Sequence, residues 1–123
     1  MNSRDYISKA LRTEPPYHFS TINGLTPRIE HAVYGLVTEA GELMDEVKRT
    51  KLYGKELDKT NLLEEAGDIM WYLAVLCDDL QVDFETIWQK NIDKLKVRFP
   101  DKFTNKEALE RNTIAERKIL ENK

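Results

Sequence analysis

The sequence predicts an all-α fold, a helical bundle of four to five helices whose core is completed by association with further copies of the chain. Three observations predict it. Only five glycines and four prolines occur in 123 residues, and all four prolines and two of the glycines fall at Pro15-Pro16, Asn23-Gly24, Pro27, Gly54 and Pro100, so the segments between these points are long. Within those segments apolar residues recur at steps of three and four, which strand alternation does not produce. The resulting apolar faces are wide for a chain of this size, as in one half of a larger bundle.

The elements follow in order. Ser3 to Thr13 carries Tyr6, Ile7, Ala10 and Leu11 at helical steps, a short amphipathic helix that stops at Glu14-Pro15-Pro16. After a loop to Gly24, Thr26-Pro27 reads as an N-cap followed by proline in the first helical position, where its missing N–H costs nothing. The second helix then carries Ile29, Ala32, Val33, Leu36, Val37, Ala40, Leu43, Met44 and Val47 as its stripe and ends near Thr50. A polar stretch with Gly54 leads to Asp58, which with Thr60 or Asn61 offers the next cap. The third helix runs to about Gln81 on Leu62, Ala66, Ile69, Leu73, Leu76, Cys77 and Leu80. The fourth starts after Asp83, buries Phe84, Ile87, Trp88, Ile92 and Leu95, and stops at Phe99-Pro100. Helical core thus covers about 26–100. A charged tail over 104–123 is also predicted helical from the capping-box spacing of Thr113 and Glu116.

Composition narrows the function. Asp and Glu number 22 against 19 Lys and Arg, a net charge of -3, so the basic footprint of a nucleic-acid binder is absent and no nucleic-acid partner is expected. One cysteine, Cys77, permits no internal disulfide and reads as a small core hydrophobe. The start lacks a signal-peptide pattern and no run approaches the roughly 20 apolar residues of a membrane span. A single domain over 1–123, cytoplasmic and without membrane contact, is the expectation.

The chemistry is carried by an internal repeat. Residues 38–47 (Thr-Glu-Ala-Gly-Glu-Leu-Met-Asp-Glu-Val) match residues 64–73 (Glu-Glu-Ala-Gly-Asp-Ile-Met-Trp-Tyr-Leu) through a shared Glu-Ala-Gly-acid-aliphatic-Met core. At about 100° per residue, Glu39 and Glu42 lie about 60° apart on one helical face, as do Glu65 and Asp68. Each pair borders its apolar stripe, so packing the two helices along those stripes brings four carboxylates to the edge of a dry core. Like charges there disfavour ionisation and call for a cation. Paired acids on a single helix are ordinarily solvated surface; two copies in register on adjacent helices are not. A hard divalent ion, Mg²⁺ with Mn²⁺ as the alternative, suits an all-carboxylate site.

Other features are weighed against this site. Gly41 and Gly67, each between the two acids of its repeat, imply either a close backbone approach or mere tolerance. Asn91, Lys94 and Arg98 fall on one face of the fourth helix, either gripping phosphate oxygens or forming a solvated stripe paired with Asp93 or Glu116. Tyr72 lies on the carboxylate side of the third helix, about 20° from Glu65, where a ring can stack on a nucleobase, whereas Trp71 points to a different face. His31 projects toward the Glu42 side of its helix, and Lys48, Arg49, Lys51, Lys55 and Lys59 read as a solvated cluster. Phosphate-loop, GxSxG, CxxC and HExxH motifs are absent, and the two histidines do not occupy di-iron positions.

Glu39-x-x-Glu42, a gap of 22 residues, and Glu65-x-x-Asp68 together resemble the signature of the MazG-like, all-α nucleotide pyrophosphohydrolases. Gly35 to Leu43, Glu64 to Leu73 and Asn91 to Pro100 resemble short single-domain members of that family, and the likeness covers about residues 29–103. It implies Mg²⁺-dependent hydrolysis of (deoxy)nucleoside triphosphates between the α and β phosphates, giving a monophosphate and pyrophosphate, with nucleotide-pool house-cleaning as the role. It implies that Glu39, Glu42, Glu65 and Asp68 hold the metal, that Glu39 and Glu42 serve catalysis, and that Asn91, Lys94, Arg98 and Tyr72 bind substrate. Some relatives carry an acid directly before the first ExxE, where this chain has Thr38; Glu46 lies on the same face and offers a substitute. Homo-dimers or tetramers are implied as the assembly. The alternatives are a phosphoribosyl-ATP pyrophosphohydrolase, a dUTP- or dCTP-selective relative, or a non-catalytic helical module that binds a nucleotide or partner.

Overall fold

Side-chain caps mark where each helix begins. The computed structural model describes residues 1–122, and among these it has six helices and no strand: α1 (Ser3–Leu11), α2 (Pro27–Tyr53), α3 (Lys59–Asp79), α4 (Phe84–Arg98), α5 (Asn105–Leu109) and α6 (Thr113–Glu121). Thr26, Asp58 and Asp83 accept hydrogen bonds from the backbone N–H groups of Ile29, Asn61 and Thr86, as the sequence predicts. α2 continues to Tyr53, three residues beyond the expected end, because Gly54 takes the left-handed conformation (φ 66°) that closes a helix without strain. The all-α class holds, with six helices in place of four to five. The predicted tail splits into α5 and α6, capped by Thr104 and Asn112 rather than by Thr113; its last residue, Lys123, lies outside the described residues.

The chain forms two compact units, α1–α3 in Met1–Val82 and α4–α6 from Asp83 onward. In the first, α2 packs along α3, and α1 packs against α3. Their contact is built from small side chains: Ala32, Gly35, Ala74, Val75 and Cys77 are buried, joined by Ile7 and Ala10 of α1. Small residues bring helix backbones close, which holds the acid-bearing faces of α2 and α3 near one another. Arg28 ties the open end of this unit, donating through Nε and Nη2 to Glu14 (2.9 and 3.0 Å) and pairing with Asp78 through Nη1 (2.9 Å). Thr26 Oγ1 donates to Asp79 across the same end (2.8 Å).

In the second unit α4 packs on α6. Glu116, only 2% exposed, accepts from Arg98 Nε (2.8 Å) and Nη2 (2.7 Å) and from Arg111 Nε (3.1 Å). Burial alone would raise its pKa, but the hydrogen bonds and charges of Arg111 and Arg98 outweigh it and hold the carboxyl below the ordinary range.

The apolar stripes are only partly covered. Val33, Val37, Met44 and Val47 of α2, Leu63 and Met70 of α3, and Ile87, Trp88 and Ile92 of α4 are exposed, although most of these were expected in the core. The reason is width: an apolar face of more than one seam cannot be covered by a single neighbouring helix.

Candidate active site

The α2–α3 pairing brings three acids together. Glu39 of α2 and Glu65 and Asp68 of α3 each present a carboxylate oxygen within 4.8 Å of the others. Glu65 and Asp68 come from successive turns of one helix, and Glu39 meets them because α2 and α3 run side by side. Glu65 is buried, with 9% of its surface exposed, whereas Asp68 is exposed. A hydrogen bond with Glu39 is the first cause that raises the Glu65 pKa; burial and the charges of Glu39 and Asp68 add to it. Like charges gathered at one spot oppose ionisation of Glu65, the reverse of what an arginine neighbour does. Tyr6 of α1 feels the same site: burial and then the charge of Asp68 raise its pKa.

Beside the acids lies a pocket of about 360 Å³ lined by Thr13, Glu39, Asp68, Trp71 and Tyr72. The Tyr72 ring rests on Gly35, where a Cβ would come within 2.0 Å of it, so only glycine admits the ring there. Trp71 stands edge-to-face with Tyr72 (centroids 5.0 Å apart, planes at 86°). Its indole Nε1–H donates to Ala10 O (2.9 Å) and Thr13 Oγ1 (2.8 Å). His31 lies edge-on to both rings (6.0 and 5.5 Å), its Nδ1 3.0 Å from the Tyr17 hydroxyl, which donates to Glu14 (2.6 Å). Burial raises the Tyr17 pKa, and the Glu14 hydrogen bond raises it further.

Other expected site residues are elsewhere. Glu42, one turn beyond Glu39, is exposed and lies outside the three-carboxylate cluster. Glu46 is buried, but it accepts from the Asp58 backbone N–H (2.7 Å) and Asn61 Nδ2 (3.4 Å), holding the start of α3, so it does not stand in for an acid at position 38. Thr38 donates to the Gly35 carbonyl (2.9 Å). Asn91, Lys94 and Arg98 belong to the second unit, where Arg98 is already bound to Glu116. Gly41 and Gly67 have nothing within 4 Å of an added Cβ, so no backbone in this chain approaches them; the close approach is at Gly35.

Trp71 corrects the expectation that it faces away. It follows Asp68 by three residues, a spacing that puts it about 60° from that acid, and this was the signal available in the sequence. Nothing in the pattern of Thr13 announces its place in the pocket, because the packing of α1 on α3 carries it there.

The MazG nucleotide pyrophosphohydrolase domain profile matches residues 28–103, more than half of the chain. The chain belongs to the MazG family. The MazG match takes in Gly35, all four acids of the repeat, Trp71, Tyr72 and the Asn91–Arg98 stripe, and leaves out α1 and Thr13. A curated relative, the Gene 37 protein of Mycobacterium phage L5, is 37% identical over 75 residues, 57% of this chain and 65% of the phage protein. The matched segment therefore spans less than two thirds of that relative's length. No solved structure matches the chain. Nucleotide pyrophosphohydrolase chemistry is thus the family's, and the acid cluster is the part of this chain able to hold a divalent metal.

Proposed function

We propose that the protein hydrolyses (deoxy)nucleoside triphosphates between the α and β phosphates in the presence of Mg²⁺, with Mn²⁺ as a substitute, releasing a monophosphate and pyrophosphate. The observation that carries this reading is the convergence of Glu39, Glu65 and Asp68 at the mouth of an aromatic-walled pocket. The donor set fits a hard divalent ion: the three groups offer only carboxylate oxygens, and these lie within 4.8 Å of one another. When bound, such an ion supplies neutralisation of the negative charge developing on the phosphates.

The chain's own residues do the rest. Glu39, Glu65 and Asp68 hold the ion and fix the phosphates beside the pocket. Glu42, exposed on the same face of α2 and outside the cluster, is the carboxylate left to accept the proton of the attacking water. Tyr72, held by Gly35, offers its ring to the nucleobase. Asn91, Lys94 and Arg98, on α4 of the second unit, are proposed as phosphate contacts on the family resemblance alone, Arg98 through guanidinium donors other than the two that Glu116 takes.

A second copy of the chain covers the exposed stripes. Met44 is 70% and Leu63 75% exposed, and Val33, Val37 and Val47 on α2 and Met70 on α3 are exposed at helical spacing with them, apolar rows that a partner surface would bury. A dimer or tetramer working in the cytoplasm is the assembly proposed, and sedimentation showing only monomer at micromolar concentration would count against it.

The direct test is incubation with a panel of ribo- and deoxynucleoside triphosphates, with and without Mg²⁺, followed by chromatography. Metal-dependent monophosphate and pyrophosphate without a diphosphate intermediate is expected. Release of inorganic phosphate and a diphosphate, or no turnover of any nucleotide, would overturn the reading.

A further inference from the structure

We infer that Thr13 is a specificity-determining residue of this site, acting as a positioning residue for the Trp71 indole so that the end of α1 sets which nucleobases the pocket accepts. The inference rests on the nucleotide reading above and adds to it the element that selects the base.

The pocket's two aromatic rings are held in different ways. Tyr72 is fixed from within the family domain, by contact with Gly35. Trp71 is fixed from outside it: its N–H is shared between the Ala10 carbonyl and the Thr13 hydroxyl, and Thr13 Oγ1 in turn donates to the same Ala10 carbonyl (2.8 Å). That triangle fixes the rotation of the indole, and with it the angle the ring presents beside Tyr72 and the acids. Both Ala10 and Thr13 precede residue 28, where the family match begins. Thr13 also lines the pocket itself, together with Glu39 and Asp68.

Orientation matters because stacking of a base on an aromatic ring depends on offset and angle, whereas binding of a triphosphate to metal-bearing carboxylates does not. A change at Thr13 therefore acts on base affinity and leaves phosphate chemistry alone. Isosteric Thr13→Val removes one of the two acceptors of the Trp71 N–H and the donor to Ala10 while keeping the volume, so the indole is held by the Ala10 carbonyl alone; Thr13→Ser keeps the hydroxyl.

The experiment measures steady-state turnover and nucleotide binding for the full chain and for Thr13→Val, Thr13→Ser and Trp71→Phe. Binding is followed by quenching of Trp71 fluorescence in a Trp88→Phe background, using α,β-methylene nucleoside triphosphates with Mg²⁺. For Thr13→Val the expected result is a KM rise of about three- to tenfold, the size of a lost neutral hydrogen bond, unequal among bases. Its kcat and Mg²⁺ dependence should be unchanged, Thr13→Ser should restore the native KM, and Trp71→Phe should reproduce the base-dependent rise. Equal KM values in Thr13→Val and the native protein, or a fall in kcat alone, would overturn the inference. So would a Thr13→Ser variant as impaired as Thr13→Val, the mark of a fold effect. Quenching by the analogues without turnover of any triphosphate would sink the hydrolase reading and leave the base pocket standing; turnover without quenching would do the reverse.

Discussion

Two buried glutamates, Glu65 in the first unit and Glu116 in the second, carry the same side chain in opposite states. Glu65 meets Glu39 and Asp68, and its pKa is raised; Glu116 meets Arg98 and Arg111, and its pKa is lowered despite deeper burial. The difference teaches how to separate a site from a strut. A buried acid already neutralised by guanidinium groups holds α4 to its own unit, and nothing more is required there. A buried acid among acids is an unfavourable arrangement that marks a candidate functional site, one that a cation would relieve. Glu46 is a third case: its charge is met by the Asp58 backbone N–H, by Asn61 and by the Arg49 guanidinium (3.5 Å), which makes it a helix anchor.

The largest effect should separate the two glutamates by activity. Glu65→Gln is expected to cut pyrophosphate release by at least about 100-fold, since it removes a ligand where even supporting residues are worth 10–100-fold. Its thermal midpoint without metal should stay equal or rise, because a repulsive neighbour of Glu39 and Asp68 has gone. A variant with near-native turnover would remove Glu65 from the metal site.

Next in size, Glu116→Gln should lower the thermal midpoint, because Arg98 and Arg111 lose the carboxylate between them. Unchanged stability in a denaturation series would mean that this ion cluster holds nothing, and the comparison would fail on its structural side.

The smallest effect is in the pH profile. Glu14, like Glu116, is lowered overall: burial would raise it, but hydrogen bonds from Arg28 and Tyr17 prevail. Both groups bind protons less tightly folded than unfolded. Their contribution is therefore complete above the ordinary carboxylate value of 4.5 and is lost as the pH falls through the lower folded values. Urea midpoints measured from pH 6 down to pH 3 should drop in this window, and the drop should be shallower in Glu14→Gln. An equal drop in that variant would assign the acid sensitivity to other carboxylates.

Much of the fold was legible because its signals are local. The caps at Thr26, Asp58 and Asp83 lie within one turn of the N–H groups they bind, and the repeated ExxE and ExxD pairs place their acids by helix geometry alone. What could not be read was the outcome of competition between neighbours. The sequence offered Arg98 a phosphate or an acid partner, Asp93 or Glu116, and its pairing with Glu116 depends on how α6 packs on α4. Trp71 lies about 120° from Glu65 but only about 60° from Asp68, so its side was ambiguous along α3, and the hydrogen bonds to Ala10 and Thr13 of the α1 segment decide it.

The sequence by itself determined the helices, the all-α class and the two acidic pairs, because propensity, capping and periodicity act within a few residues along the chain. Only the tertiary structure decided that Glu39, Glu65 and Asp68 converge while Glu42 stays apart, that Gly35 rather than Gly41 or Gly67 makes the close approach, and that Thr13 enters the pocket. Those outcomes depend on distances between residues far apart in the chain, and these are set by which small side chains meet where α2, α3 and α1 pack.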